Sequence, residues 1–336
     1  SYWTICRMKT TKKIYVKVSI IFLLGGILLF SSCEKEENQK IEANRKTLFM
    51  YLPWSSNLTN YFYNNISDLE KCITKIGLNN EKVIVFISTG STEAMMFEIV
   101  SSHGRCKREI LKKYKSPPFT TIDGITAILN DVKAFAPASV YTMIIGCHGM
   151  GWLPVYEMKV RSAPHMKMHW EYQGVPLTRY FGGLTAEYQT DIKSLASGIA
   201  NAGMKMEYIL FDDCYMSSIE VAYELKDVTK YLIGSTSEMM AYGMPYAAIG
   251  EYLLGNPDYQ SGCEEFYNFY STYEIMPCGT LAVTDCSELE NMAAIIKSIN
   301  SKYSFDKSLR GTIQRLDGYT PVIFYDFADY ITSLCN

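Results

Sequence analysis

The sequence predicts an α/β fold: a mainly parallel sheet with helices on both faces. Two observations carry this. Continuous apolar runs stand at 82–88 (KVIVFIS), 140–146 (VYTMIIG) and 206–212 (MEYILFD), as in strands buried on both faces. Segments with helical spacing alternate with them, and that order builds a parallel sheet.

The elements follow in order. TLFMYLP (47–53) reads as the first strand. NNISDLEKCITKIG carries Ile66, Leu69, Ile73 and Ile76 on one helical face, with Gly77 as the stop. The strand at 82–88 is next. AMMFEIV and CKREILKKY flank SSHG as a hairpin, with His103 as a turn residue. TTIDGITAILNDVKAF is a helix closed by Pro137, and the 140–146 strand follows. Residues 149–187 are irregular, and a segment that long is usually functional or mobile. YQTDIKSLASGIANAG is helical, MEYILFD is a strand, and SSIEVAYEL is a helix opened by a Ser217–Glu220 capping box. YLIGS (231–235) and GTLAVTD (279–285) are strands, and LENMAAIIKSIN (289–300) is a helix.

Composition is that of an ordinary globular protein: 48% apolar, 20% charged, net charge −3. No basic excess, zinc finger or aromatic–basic stripe points to nucleic acid. At the N-terminus Lys9, Lys12, Lys13 and Lys17 precede an apolar run from Val18 to Phe30. That run is shorter than the ~20 residues a bilayer span needs. With Ser31-Ser32-Cys33 after it, the segment resembles a bacterial lipoprotein signal, cleaved before a cysteine that takes the lipid. The expected organisation is a signal peptide at 1–32, with 1–7 as upstream read-through before Met8. A lipidated tether follows at 33–46, a catalytic domain at 47–260 and a C-terminal α/β extension at 261–336. The chain end at FADYITSLCN leaves the completeness of that extension open. The implied location is the cell envelope, with CEKEE resembling a surface-export tag. The ten cysteines lie singly, so no essential disulfide is expected; Cys72 and Cys286 read as small buried apolar residues.

In a parallel α/β sheet, chemistry gathers beyond the carboxyl ends of the strands. Two such ends stand out: IIGCHGMGW, with His148, and LFDDCYMSS, with Cys214. If their strands are neighbours, a nucleophile and a general base meet there. A helix starting just past Cys214 would favour its thiolate. The N–H groups of Gly149 and Cys214 could form an oxyanion hole, Gly149 having no Cβ to block approach. Cys147 beside His148 offers one metal-ligand pair, but no second pair at zinc spacing follows. His165 and His169 in HMKMH lack a third ligand, so no metal site is expected.

HGMGW, FDDCYMSSIEVAYEL and GSTSEMMAYGMPY resemble the clostripain family of cysteine peptidases, in the caspase-like clan, over roughly Thr47 to Tyr246. The resemblance implies a caspase-like α/β/α sandwich and a dyad of His148 as base and Cys214 as nucleophile. It also implies cleavage of protein or peptide substrates after Arg or Lys. Asp212 matches a family acid on the wall of the pocket for that basic side chain, and Glu238 is a candidate second acid. Asp213 stands where alanine is common in the family, and its role is open. Relatives are often zymogens cut after the histidine. Here Lys159, Arg161, Lys167 and Arg179 are the basic candidates, with Arg161-Ser162 first. No cofactor is required by the sequence; calcium is an option by resemblance, and a monomer is expected. The rival reading is an inactive surface binding protein on a peptidase scaffold.

Overall fold

The computed structural model describes residues 44–153, 155, 186–319 and 321–334. Strands β1 (Asn44–Leu52), β2 (Glu81–Ser88), β5 (Ala138–Ile145), β6 (Met206–Phe211) and β7 (Thr229–Gly234) run parallel in the middle of one sheet. The edges are antiparallel: β3 (Glu93–Ser102) and β4 (Arg105–Lys115) on one side, β8 (Ala282–Asp285) on the other. The order is β4-β3-β2-β1-β5-β6-β7-β8. β4 alternates Lys107, Glu109, Lys113 and Lys115 with half-buried residues, and a charged edge discourages further strand pairing.

Each central strand is apolar on both faces because helices cover both. One face packs Leu48, Met50, Val83, Val85, Ile144 and Leu210 against α1 (Thr59–Ile76), α5 (Tyr246–Leu253) and α6 (Tyr259–Ser271). The other packs Phe49, Ile84, Phe86, Met143, Ile209 and Leu232 against α2 (Ile122–Phe135), α3 (Ile192–Asn201) and α4 (Ile219–Leu225). The helix α7 (Leu289–Asn300) follows β8, and α8 (Phe327–Leu334) ends the described chain. Among the described residues, no helix is long and apolar enough to cross a membrane.

The α/β reading therefore agrees with the structure, and so does the hairpin, with His103 in its turn at φ 49°. Three boundaries shift. β1 begins at Asn44, inside the expected tether, because Asn44 and Lys46 pair with Ala138 and Val140 of β5. The expected domain boundary at 260/261 falls inside α6. β8 joins the same sheet through β7, and Tyr319 and Phe324 enter the same core cluster as Cys214. The segment after 260 is thus continuous with the core. Cys72 and Cys286 are buried as expected, and burial pushes both thiols up to about 11.

Lys46 is an unexpected buried cation on β1, 4% exposed. Its Nζ donates to Leu253 O at 2.6 Å and Gly255 O at 3.3 Å, tying β1 to the end of α5. Burial lowers its pKa from 10.5 to about 8. Between those values the unfolded chain holds the proton more tightly, so stability rises with pH across the window. The expected size is on the order of 3 kcal/mol. Denaturant melts of wild type and Lys46→Met, compared from pH 7.5 to 10.5, check this: the wild type should gain on the variant as pH rises.

Candidate active site

The two motif-bearing strand ends are neighbours. β5 pairs with β6 in parallel, with Ile145 opposite Phe211. The ladder continues past both ends: Asp212 N donates to Ile145 O at 2.8 Å, and Gly146 N to Tyr51 O at 3.1 Å. The loops beyond are then joined by side chains. Cys147 N donates to Asp213 Oδ1 at 2.6 Å, and the Cys147 thiol lies 3.4 Å from Oδ2. Asp213 is fully buried. Its carboxylate thus braces the His148 loop against the Cys214 loop, a role the sequence left open.

Gly149 makes the second joint. A Cβ there would lie 2.2 Å from the Cys214 carbonyl oxygen and 2.8 Å from the Asp213 Cβ. The missing side chain thus permits the close approach of the two loops.

The Cys214 loop is also fastened to the segment after β7. Tyr215 N donates to Ser237 O at 3.0 Å and Ser217 N to Ser235 O at 3.0 Å. Met239 N lies 3.1 Å from Cys214 Sγ, an N–H aimed at the sulfur. Tyr215 adopts φ 61°, a conformation costly for a residue with a Cβ. It is held there from two sides. Its ring stacks on Phe324 at 4.4 Å between centroids, and its hydroxyl donates to Glu238 Oε1 at 2.9 Å. Glu238, the candidate second acid, therefore anchors Tyr215 in the loop that carries Cys214.

Asp212 is buried at the base of the site. Oδ1 accepts from Met244 N at 2.9 Å and Oδ2 from the Tyr246 hydroxyl at 3.0 Å. The loop carrying Met244 is pinned further by Asn65, which donates to Tyr242 O, and by the Tyr270 hydroxyl, which donates to Gly243 O. His148 is 1% exposed and Cys214 0%. The cavity touching Cys147 and Asp213 holds about 40 Å³, room for a few waters. His148 and Cys214 are thus both shielded from solvent where the two loops meet.

One expectation is corrected by the local geometry. Ser217 does not cap the following helix. Ser218 does, accepting from Val221 N, and α4 begins only at Ile219 and lasts seven residues. A turn therefore separates Cys214 from the helix, which does not start just past the cysteine as expected. A residue the sequence reading missed is Asn57, in the turn after β1, whose Oδ1 lies 2.9 Å from His148 Nε2. Cys33, Lys159, Arg161, Lys167, Arg179, His165 and His169 lie outside the described residues. Among the described residues no group of three or more His, Cys, Asp or Glu is placed to hold a metal ion, and the cysteines Cys72, Cys106, Cys147, Cys214, Cys263, Cys278 and Cys286 are free thiols.

A parallel sheet that brings a cysteine loop and a histidine loop together at adjacent strand ends defines a thiol hydrolase of the α/β class. The clostripain family model (peptidase C11) matches residues 50–334, and the chain belongs to that family of cysteine peptidases. It is similar to the X-ray structure of a secreted C11 cysteine protease from Bacteroides thetaiotaomicron, "iotapain", at 60% identity and TM-score 0.80, over 87% of this chain and 81% of that one. It is also similar to an inactive zymogen C11 protease from Parabacteroides distasonis, at 25% identity and TM-score 0.71, over 87% and 78%. A secreted C11 cysteine protease from Bacteroides thetaiotaomicron in complex with an irreversible peptide inhibitor shares the fold, at 19% identity and TM-score 0.67, over 87% of this chain and 78% of that one. Among curated proteins none matches the chain.

Proposed function

We propose that this cysteine peptidase cleaves proteins or peptides after Arg or Lys through His148 and Cys214. It is made in a latent form, exported, and held at a membrane by a lipid on Cys33. The observation that carries the dyad is the joining of the two loops by Asp213 and Gly149. Latency draws support from the full burial of Cys214 under the Met239 backbone. A substrate carbonyl cannot reach a sulfur in that state, so opening must precede chemistry. Cutting at Arg161 or Lys159, between the two loops in sequence, would release the restraint.

In the opened site His148 takes the Cys214 proton and the thiolate adds to the carbonyl after the basic residue. The N–H groups of Gly149 and Cys214 hold the oxyanion, each worth about 3 kcal/mol. His148 returns the proton to the leaving amine, and water then hydrolyses the acyl-enzyme. Asp212 supplies the negative charge for the Arg or Lys side chain. The chemistry uses only groups of this chain, acting as a monomer, and calcium is left to regulation. Export and anchoring rest on the Lys-rich start, the Val18–Phe30 run and Cys33.

An irreversible peptidyl ketone probe with Arg at the cleavage position tests this on one gel. Wild type should carry one label, on the fragment containing Cys214, and appear as two pieces. Cys214→Ala should show neither. The double replacement of Lys159 and Arg161 should stay in one piece. Labelling of Cys214→Ala would refute the nucleophile, and unchanged cutting of the double variant would refute the processing site.

A further inference from the structure

We infer that Asp317 is a positioning residue for the two loops of the site. Its carboxylate folds the C-terminal segment into a clamp that sets Phe324 on Tyr215, the neighbour of Cys214, and Tyr319 on Met150. The inference rests on the proposal that Cys214 is the nucleophile.

The clamp is built outward from the carboxylate. Asp317-Gly318 is turn chemistry. Leu316 N donates to Phe324 O at 3.0 Å and Asp326 N to Gln314 O at 2.9 Å, so residues 314–316 and 324–326 run antiparallel. The N–H groups where the chain turns back fall outside that pairing, and Asp317 takes three of them. Oδ1 accepts from Tyr319 N at 2.8 Å. Oδ2 accepts from Ile323 N at 2.8 Å and from Phe324 N. An ionised carboxylate has acceptor sites for all three donors, which a neutral amide of the same size lacks.

The rings fixed by this turn reach both loops. The Phe324 ring stacks on Tyr215 at 4.4 Å between centroids, with the planes 9° apart. The same ring bounds Gly151 in the His148 loop, where a Cβ would lie 2.8 Å from Phe324 Cε1 and 3.0 Å from the Tyr215 carbonyl oxygen. The Tyr319 ring lies 5.9 Å from that of Tyr215, and its hydroxyl meets Met150 Sδ at 3.3 Å. Both rings are buried in the core cluster that contains Cys214 and Met150. A turn that merely closed a surface loop would have no such reach. Tyr215 needs the support, because φ 61° persists in a residue with a Cβ only where the surroundings impose it. The stacked ring holds Tyr215 there, and Cys214, one position earlier, is held with it.

The test uses the full chain after activation, with active sites counted by the probe and assays run well below each variant's melting temperature. Asp317→Ala should lower kcat by about 10- to 100-fold, the scale set by a misplacement of about 1 Å, with KM changed less than about twofold. Phe324→Leu keeps an apolar side chain in the core and removes the flat ring. It should fold and lose about 10-fold in kcat. Because Asp317 acts through Phe324, the double variant should fall no more than about twofold below Asp317→Ala. Asp317→Asn keeps one oxygen for the Ile323 and Phe324 donors and should recover part of kcat. A role in stability alone would lower the melting temperature and leave kcat per active site within about twofold of wild type. That result in either single variant, or full multiplication of the two losses in the double variant, overturns the inference. Should Asp317→Ala fail to fold, Phe324→Leu decides. Cys214→Ala runs alongside. If it is inactive while the Asp317 and Phe324 variants are unaffected, the nucleophile stands and only the clamp falls. If Cys214→Ala keeps its activity, the nucleophile itself is misassigned and the clamp falls with it.

Discussion

Gly149→Ala is expected to lower kcat/KM by at least ~100-fold while leaving a folded protein. An added Cβ would sit 2.2 Å from the Cys214 carbonyl oxygen, with the Asp213 Cβ at 2.8 Å and the Met216 Cγ at 2.9 Å. The first two are backbone or backbone-proximal atoms and cannot swing away, so one loop must move. A displacement on the order of 1 Å is enough to cost ~10²-fold when two groups must act on one bond. The loops lie at the rim of the sheet, so the strain should lower stability by only ~1–3 kcal/mol. Gly90→Ala is the control, since nothing lies within 4 Å of its Cβ direction. Steady-state kinetics with a peptide ending in Arg, beside circular dichroism and melting, separates the two effects. Full activity in folded Gly149→Ala would mean that the approach of these loops does not set the chemistry.

The pair of loops was legible in the sequence because buried parallel strands announce themselves. VYTMIIG and MEYILFD have no polar face, and their ends had to lie on one rim once they were neighbours. The same rule applied to β1 leads to PWSSN, but no cysteine, histidine or acid marked that stretch. An asparagine before a helix reads as a cap until the actual N-cap is known. Asp213 was visible as a residue and opaque as a role, since its partner is a backbone N–H, which sequence does not display. Ser217, with Glu220 three residues on, fits the capping-box pattern, and Ser218, with Val221 there, does not. In the structure Ser218 is the cap, and Ser217 still belongs to the Cys214 loop, its N–H bound to Ser235 O before the helix begins. Phe324 was out of reach for another reason. Its stacking on Tyr215 joins residues far apart in sequence, from a segment with no strong periodicity, and nothing local hints at a ring waiting at φ 61°.

Asp212 allows charge and architecture to be separated in a single position. One of its oxygens accepts from Met244 N–H and the other from the Tyr246 hydroxyl. Asn at this position keeps one oxygen for Met244 N–H, and its NH2 can donate to the Tyr246 oxygen, because a phenol both gives and accepts. Asp212→Asn should therefore fold with stability within ~1 kcal/mol of wild type. It lacks the negative charge, however, and a buried Arg or Lys side chain without a counter-charge is strongly disfavoured. The preference for Arg or Lys over a neutral residue such as Gln should fall by about 100-fold or more, a loss of ~3 kcal/mol. Asp212→Ala differs, because both donors lose their partner inside the core, and each unsatisfied group costs ~1–3 kcal/mol. That variant should melt several degrees lower as well as lose selectivity. Cleavage profiles against a peptide library, with melting temperatures for all three proteins, read both effects. A folded Asp212→Asn that still prefers Arg and Lys undiminished would show that the basic side chain finds its charge elsewhere. Asp212 would then serve only to hold the Met244–Tyr246 turn.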